Sequence, residues 1–258
     1  MGREIVSNLK FKKSTGDFDP QKFASMLDEA YLATKREDQV TTKHSFSPST
    51  IGYGKGNCPR YWYLAFTGVM FIEEQDSIAL ANMMQGTQAH ERLQKLISSI
   101  GILKEEEKEI KNEYPPIRGF IDLVLDWDGT EVLGEIKTAK QEVWDTRQAT
   151  MDPSPNHLIQ LLIYMKLMNV KEGFFLYENK NTQEVLIIPI QMNARNKKII
   201  EDTFIWMCEV WDNFKEGDLP MRPYTKSSSV CKYCPAKKAC WSMETGTVQI
   251  EPLEVFKN

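Results

Sequence analysis

The sequence predicts an α/β fold, with helices packed around a central mixed sheet, on three observations. Segments of helical period alternate with short strand-like runs through most of the chain. Asp128-Gly129 joins two of those runs at a strong hairpin signal. The apolar share, 41% of 258 residues, is enough for a substantial core.

Each element has a local reason. Asp19-Pro20 opens a helix expected to reach about Arg36, with Phe23, Met26, Leu27, Ala30 and Tyr31 along one face. HSFSPSTIGYGKGN, residues 44–57, is rich in turn formers and reads as loop. A short helix follows over 59–66. Ser77 is placed to cap a long helix that Gly101 stops after Ile100. Strands are expected around 107–113, 117–127 and 131–138. Pro153 and Pro155 interrupt the chain before a helix over 156–169. FFLYE and EVLIIPI, separated by a polar turn at Asn179-Lys180-Asn181, form a second hairpin. Asn193 caps a helix to Phe214, on which Cys208 joins Ile200, Phe204 and Trp211 as core. From Gly217 onward the chain reads as irregular.

Composition removes several classes of function. No apolar run approaches the length of about 18 residues that a membrane span needs. The start MGREIVSNLKFKK lacks the apolar middle of a signal peptide. Five cysteines form an odd set that does not suggest a disulfide framework, so metal or core roles are expected in a soluble, cytoplasmic protein. The net charge of −4 excludes a generally basic nucleic-acid coat. Charge is uneven, however. Glu105, Glu106, Glu107, Glu109 and Glu113 crowd one segment, whereas Arg222, Lys226, Lys232, Lys237 and Lys238 lie in a stretch without acids. Such a patch can bind phosphate while the total stays acidic.

The chemistry concentrates in RGFIDLVLDWDGTEVLGEIKTAK, residues 118–140. Counting back equally from Asp128-Gly129 sets Asp122 directly opposite Glu135, with Lys137 pointing the same way. Facing carboxylates destabilise a ladder. A divalent cation between them removes the conflict, and hard oxygen ligands suit magnesium; solvation on an exposed face is the other remedy. His90 lies on the long helix, on a face with Met83, Leu93 and Ile97. Gln160 and Tyr164 lie one turn apart on a later helix, so both can reach one site.

Gly86-x3-His90, Gly119-x2-Asp122, Glu135-x-Lys137 and Gln160-x3-Tyr164, in that order, resemble the RecB-like nucleases of the PD-(D/E)xK superfamily. The resemblance implies a nuclease core in which His90, Asp122, Glu135 and the carbonyl of Ile136 bind Mg2+ or Mn2+. Lys137 would orient or deprotonate the attacking water and offset charge on the phosphate, completing a catalytic set with Asp122 and Glu135. Gln160 and Tyr164 would contact DNA or steady the site. The proline of the family name is absent, with Ile121 standing before Asp122.

Cys231-x2-Cys234-x5-Cys240 lies in the basic C-terminal part, and a fourth thiolate would complete a four-cysteine site. Spacing alone does not separate zinc from an iron–sulfur cluster. Cys58-Pro59-Arg60-Tyr61 upstream, together with those three cysteines, resembles the iron–sulfur branch of the RecB-type nucleases. That branch includes CRISPR-associated exonucleases and the AddB nuclease domain. The implied cofactor is a [4Fe–4S] cluster stapling the two ends of the domain, with zinc the lesser alternative. Arg60, Tyr61, Lys232 and Lys238 flank the cysteines and are candidate contacts to a DNA strand.

The expectation is therefore a nuclease domain over residues 46–241, preceded by a segment (1–45) and followed by a tail (242–258) without assigned roles. Its activity would be that of a metal-dependent DNA exonuclease on free ends of single-stranded or frayed DNA. The rival readings are a processing endonuclease of CRISPR adaptation or recombination, and a cluster-bearing DNA-binding module without catalysis. DNA is the expected partner, with no membrane and no identified protein partner.

Overall fold

The computed structural model describes residues 16–35 and 39–254. The opening stretch read for a signal peptide and Arg36, the expected helix end, lie outside the described residues. In chain order the elements are α1 (Pro20–Leu32), β1 (Gln39–Thr41), α2 (Pro59–Thr67), β2 (Val69–Phe71), α3 (Ser77–Ile100), β3 (Leu103–Asn112), β4 (Ile117–Trp127) and β5 (Thr130–Ala139). Then come α4 (Gln141–Thr150), α5 (Pro155–Leu167), β6 (Glu172–Asn179), β7 (Val185–Gln191), α6 (Ala194–Glu216), α7 (Ser229–Lys232) and α8 (Lys237–Ser242). A short 3-10 turn, Gly54–Asn57, precedes α2.

Five strands form one mixed sheet in the order β3-β4-β5-β6-β7. Only β5 and β6 run parallel, and the crossover between them carries α4 and α5. The turn after β4 places Asp128 at φ 50° and Gly129 at φ 82°, the left-handed pair that a two-residue hairpin demands. Side chains alternate across the sheet. On one side Leu133 and Phe175 join a large core built from α2, α5 and α6, with Phe46, Trp62, Phe66 and Trp206 at its centre. On the other, Leu123, Ile136 and Leu176 pack beneath Leu93 of α3. The site described below lies between these two layers.

Several local expectations are corrected. Asp76, not Ser77, caps α3: its side chain accepts the Ala79 N–H at 2.7 Å. Ser77 instead hydrogen-bonds Asp28 of α1, so α1 buries Ala24 and Asp28. Its expected apolar face turns outward, leaving Phe23, Met26 and Leu27 exposed. Helix α4 was not expected, because its sequence buries only Trp144 and has no apolar stripe. Cys208 is half-buried at the flank of α6, beside Tyr114 and Asp212, while Ile200, Thr203, Met207 and Val210 form that helix's buried face. Part of the chain beyond 241 packs on the fold. Ile250 and Leu253 belong to the large core, and the Leu253 N–H donates to the Asn57 carbonyl at 3.0 Å. No helix among the described residues is long and apolar enough to cross a membrane.

Candidate metal centre

The expected β4–β5 register holds from Trp127↔Thr130 to Leu123↔Gly134, and there the ladder stops, one pair short of Asp122 and Glu135. The strands part, and the Asp122 carboxylate fills the gap. Its Oδ2 accepts the Ile136 N–H at 2.8 Å, satisfying a buried backbone donor that the ladder no longer serves. Glu135 has no exposure at all. Its Oε2 accepts from Lys137 Nζ and from Gln160 Nε2, both at 2.8 Å. Its Oε1 is buried without a hydrogen-bond partner among the described residues. A carboxylate oxygen in that position is costly unless a cation or a proton meets it.

Helix α3 supplies the opposite wall. His90 Nδ1 stands 3.5 Å from Asp122 Oδ2. One turn on, the Gln94 amide donates to Glu107 Oε1 at 2.9 Å and to the Asp122 carbonyl at 3.2 Å. Ligand atoms of His90, Glu107 and Asp122 all lie within 4.8 Å of one another. Glu107 faces Asp122 in the β3–β4 register, between the pairs Glu106↔Leu123 and Lys108↔Ile121. Its φ of 47° is unusual for a side chain that is not glycine, and such strain clusters at functional positions. The sequence offered no signal for it beyond one glutamate among several, since the register shift at the start of β3 is not legible there. Met83, expected beside His90, is exposed; Leu93 is buried and Ile97 partly so.

Helix α5 supplies the third wall. Gln160 and Tyr164 are both buried. Tyr164 packs so closely on Gly119 that a Cβ there would meet its hydroxyl at 2.7 Å, which explains the glycine in Gly119-x2-Asp122. Gln160 holds the Glu135 carboxylate, whereas Tyr164 packs against β4. Burial, followed by the nearby charge of Asp122, raises the Glu135 carboxyl to about 8 against the pull of Lys137. Burial alone would lower the Lys137 ammonium, but Glu135 and Asp122 reverse that and hold it raised. The donor types fit a divalent cation: an imidazole and two carboxylates in His90, Glu107 and Asp122, with the buried, unpartnered Oε1 of Glu135 a further hard oxygen outside that trio. Ile136, between Glu135 and Lys137 on β5, has its side chain buried and its N–H taken by Asp122. A separate apolar cleft of about 550 Å³, lined by residues including Ile97, Trp127 and Phe174, carries none of these groups.

Four of the cysteines approach one another elsewhere in the fold. Cys58 precedes α2, Cys231 and Cys240 lie on α7 and α8, and Cys234 lies between them. Burial pushes the Cys58 thiol up to about 12, with the Cys234 and Cys240 thiols adding to the effect. Cys234 is likewise raised to about 11, by burial and then by Cys231 and Cys240. The two expected DNA contacts beside Cys58 are put to other uses. Arg60 is enclosed, and its guanidinium donates to the carbonyls of Pro220, Glu244 and Thr245. Tyr61 is buried against Trp62 and Phe71. Neither side chain is open to a strand: C-terminal carbonyls enclose Arg60, and Tyr61 is buried among Trp62 and Phe71. Lys232 and Lys238 are exposed. Arg222, in the same basic stretch, bonds the carbonyls of Cys240, Met243 and Glu244 and lies over the Trp241 ring.

Residues 113–241, half of the chain, match the profile of the PD-(D/E)XK nuclease superfamily. No curated protein sequence matches the chain. Among solved structures, the alkaline exonuclease LHK-Exo from Laribacter hongkongensis, in a complex with dAMP, is 16% identical. That match covers 75% of this chain and 93% of that one, with a TM-score of 0.50. Another crystal structure of the same exonuclease gives 16% identity, coverage of 74% and 95%, and a TM-score of 0.49. A protein named SSO0001 gives 16% identity, coverage of 84% and 93%, and a TM-score of 0.46. At such identity the likeness is one of fold.

Proposed function

Because the chain belongs to the PD-(D/E)XK nuclease superfamily, we propose that it is a metal-dependent DNA exonuclease acting on free ends of single-stranded or frayed DNA. His90, Asp122, Glu135 and the Ile136 carbonyl, joined by Glu107, would hold Mg2+ or Mn2+. When bound, the cation supplies a hydroxide-like nucleophile at neutral pH and offsets charge on the phosphate. The protein's own groups do the rest. Gln160 fixes one oxygen of Glu135, and Gln94 fixes Glu107 against Asp122. Lys137, kept as an ammonium by Glu135 and Asp122, would orient the attacking water and bring positive charge to the phosphate, which leaves proton removal to another group.

The observation that carries this reading is the unpartnered Oε1 of Glu135, enclosed beside Asp122. A module that only bound DNA would have no use for a buried carboxylate left open in this way. Cys58, Cys231, Cys234 and Cys240 would hold a [4Fe–4S] cluster in a reducing cytoplasm, their mutual approach across the fold supporting one shared site.

The test is direct. Purified protein is incubated with end-labelled linear single strands, duplexes and covalently closed single-stranded circles, in Mg2+, Mn2+ or EDTA. Progressive, metal-dependent loss of linear strands with circles intact is expected. Rapid cutting of circles would make it an endonuclease, and inertness on every DNA would overturn the nuclease reading.

A further inference from the structure

The polar face of α5 does not begin at Gln160. One turn earlier His157 lies on the same face, half-buried. It meets Tyr177, the residue beside Lys137 in the parallel β5–β6 register. His157 Nδ1 and the Tyr177 hydroxyl are 2.8 Å apart, and the Ser154 N–H donates to that same hydroxyl at 3.3 Å. A hydroxyl already accepting from Ser154 has its own proton to give, and Nδ1 is the acceptor within reach. In a neutral ring the hydrogen then resides on Nε2. Burial first, and then the charges of Lys137 and Arg147, hold His157 neutral by lowering it to about 3. Arg147 completes the surroundings: its Nη1 donates to the Asp152 carbonyl, and its Nε is buried without a partner among the described residues.

A neutral donor of fixed tautomer thus stands within the influence of two cations, Lys137 and Arg147, and is bonded to Tyr177, the neighbour of Lys137 in the sheet. That combination suits an anion, since the cations attract it and the imidazole N–H orients one of its oxygens. Resting on the nuclease reading above, we propose that His157 is a substrate-binding residue whose Nε2–H donates to a nonbridging oxygen of a DNA phosphate held beside Lys137 and Arg147. Tyr177 is its positioning residue, acting through the ring.

The experiment is steady-state kinetics with Mn2+ and end-labelled linear DNA, together with thermal melts of each variant. His157→Ala should raise KM about tenfold with kcat within about twofold, the pattern of a contact made equally in ground and transition states. The Nε2 amide of His157→Gln reaches where the imidazole Nε2 stands, and this variant should recover KM to within about threefold of wild type. His157→Asn reaches only the Nδ1 position and should resemble His157→Ala. Tyr177→Phe frees the tautomer and should raise KM while leaving kcat in place. An active wild type with His157→Ala unchanged would overturn this inference alone. So would His157→Gln no better than His157→Asn at equal melting temperature, since a merely structural histidine would not tell the two amides apart. An inert wild type would overturn both readings.

Discussion

Gln160 Nε2 and Glu135 Oε2 are 2.8 Å apart, in a bond that fixes one oxygen of the carboxylate and leaves the other, Oε1, enclosed and open. Asp122, across the parted strands, is equally constrained, because its Oδ2 carries the Ile136 N–H. The two acids should therefore answer mutation differently. Glu135→Gln should abolish cleavage and leave the metal-free protein close to wild type in stability near neutral pH, since the buried carboxyl it replaces already holds a proton there. Asp122→Asn should also abolish cleavage while keeping an acceptor for Ile136. Asp122→Ala should lose activity and also about 1–3 kcal/mol of stability through the orphaned N–H. Cleavage assays and denaturant melts separate the three. Metal-dependent cleavage surviving in any of them would reject the site.

Much of this was legible in the sequence, for identifiable reasons. Asp128-Gly129 specifies a turn whose register carries Asp122 toward Glu135 by counting alone. Gln160 and Tyr164 share a helix face by period alone. What escaped depends on contacts remote in sequence. Arg60 reads as a surface base until Pro220, Glu244 and Thr245 are seen around its guanidinium. The three-residue strands β1 and β2 support each other and have no pattern of their own. Glu107 reads as one charge in an acidic run, and only the β3–β4 register turns it toward Asp122.

Proton and metal should compete for Glu135. Its folded carboxyl is raised from 4.5 to about 8, chiefly by burial, so the folded protein holds a proton that the unfolded chain has already released. The sign follows: without metal, the contribution of this group to stability is full at low pH and is lost as pH rises from 4.5 through about 8. Melting temperatures of metal-free wild type, measured against those of Glu135→Gln, should show that decline. Saturating Mn2+ should remove it, because binding displaces the proton. A flat difference between wild type and variant across this range would show that Glu135 is not raised.

Glu107 should couple strain to metal binding. Its φ of 47° is tolerated by glycine at no steric cost, whereas a side chain there costs roughly 1–2 kcal/mol. Glu107→Gly should thus be neutral or stabilising without metal, yet weaken Mn2+ about tenfold or more by deleting a carboxylate that Gln94 aims at the site. Calorimetric titration with Mn2+ reads the affinity, and thermal melts read the strain. Unchanged affinity would place Glu107 outside the metal's reach.

The cysteine site makes the longest-range prediction. Protein purified anaerobically should be brown, with about four irons and four sulfides per chain if the site holds a [4Fe–4S] cluster. Cys58→Ser should lose iron as completely as Cys234→Ser, although one lies before α2 and the other close to the C-terminus, because all four thiols would serve one site. Cys208→Ser should keep its iron, since that thiol stands apart beside Tyr114. Loss of the cluster should not release the two ends entirely. The three carbonyl bonds of Arg60 and the Leu253 bond to Asn57 join them independently. Limited proteolysis of Cys58→Ser should therefore cut within 222–244 while sparing the sheet, whereas Arg60→Ala should destabilise the whole domain by about 3 kcal/mol or more, from several charge-assisted bonds lost at once. Zinc in place of iron would change the occupant and keep the staple. Full iron content in Cys58→Ser would separate the two ends of the chain and end the shared-site reading.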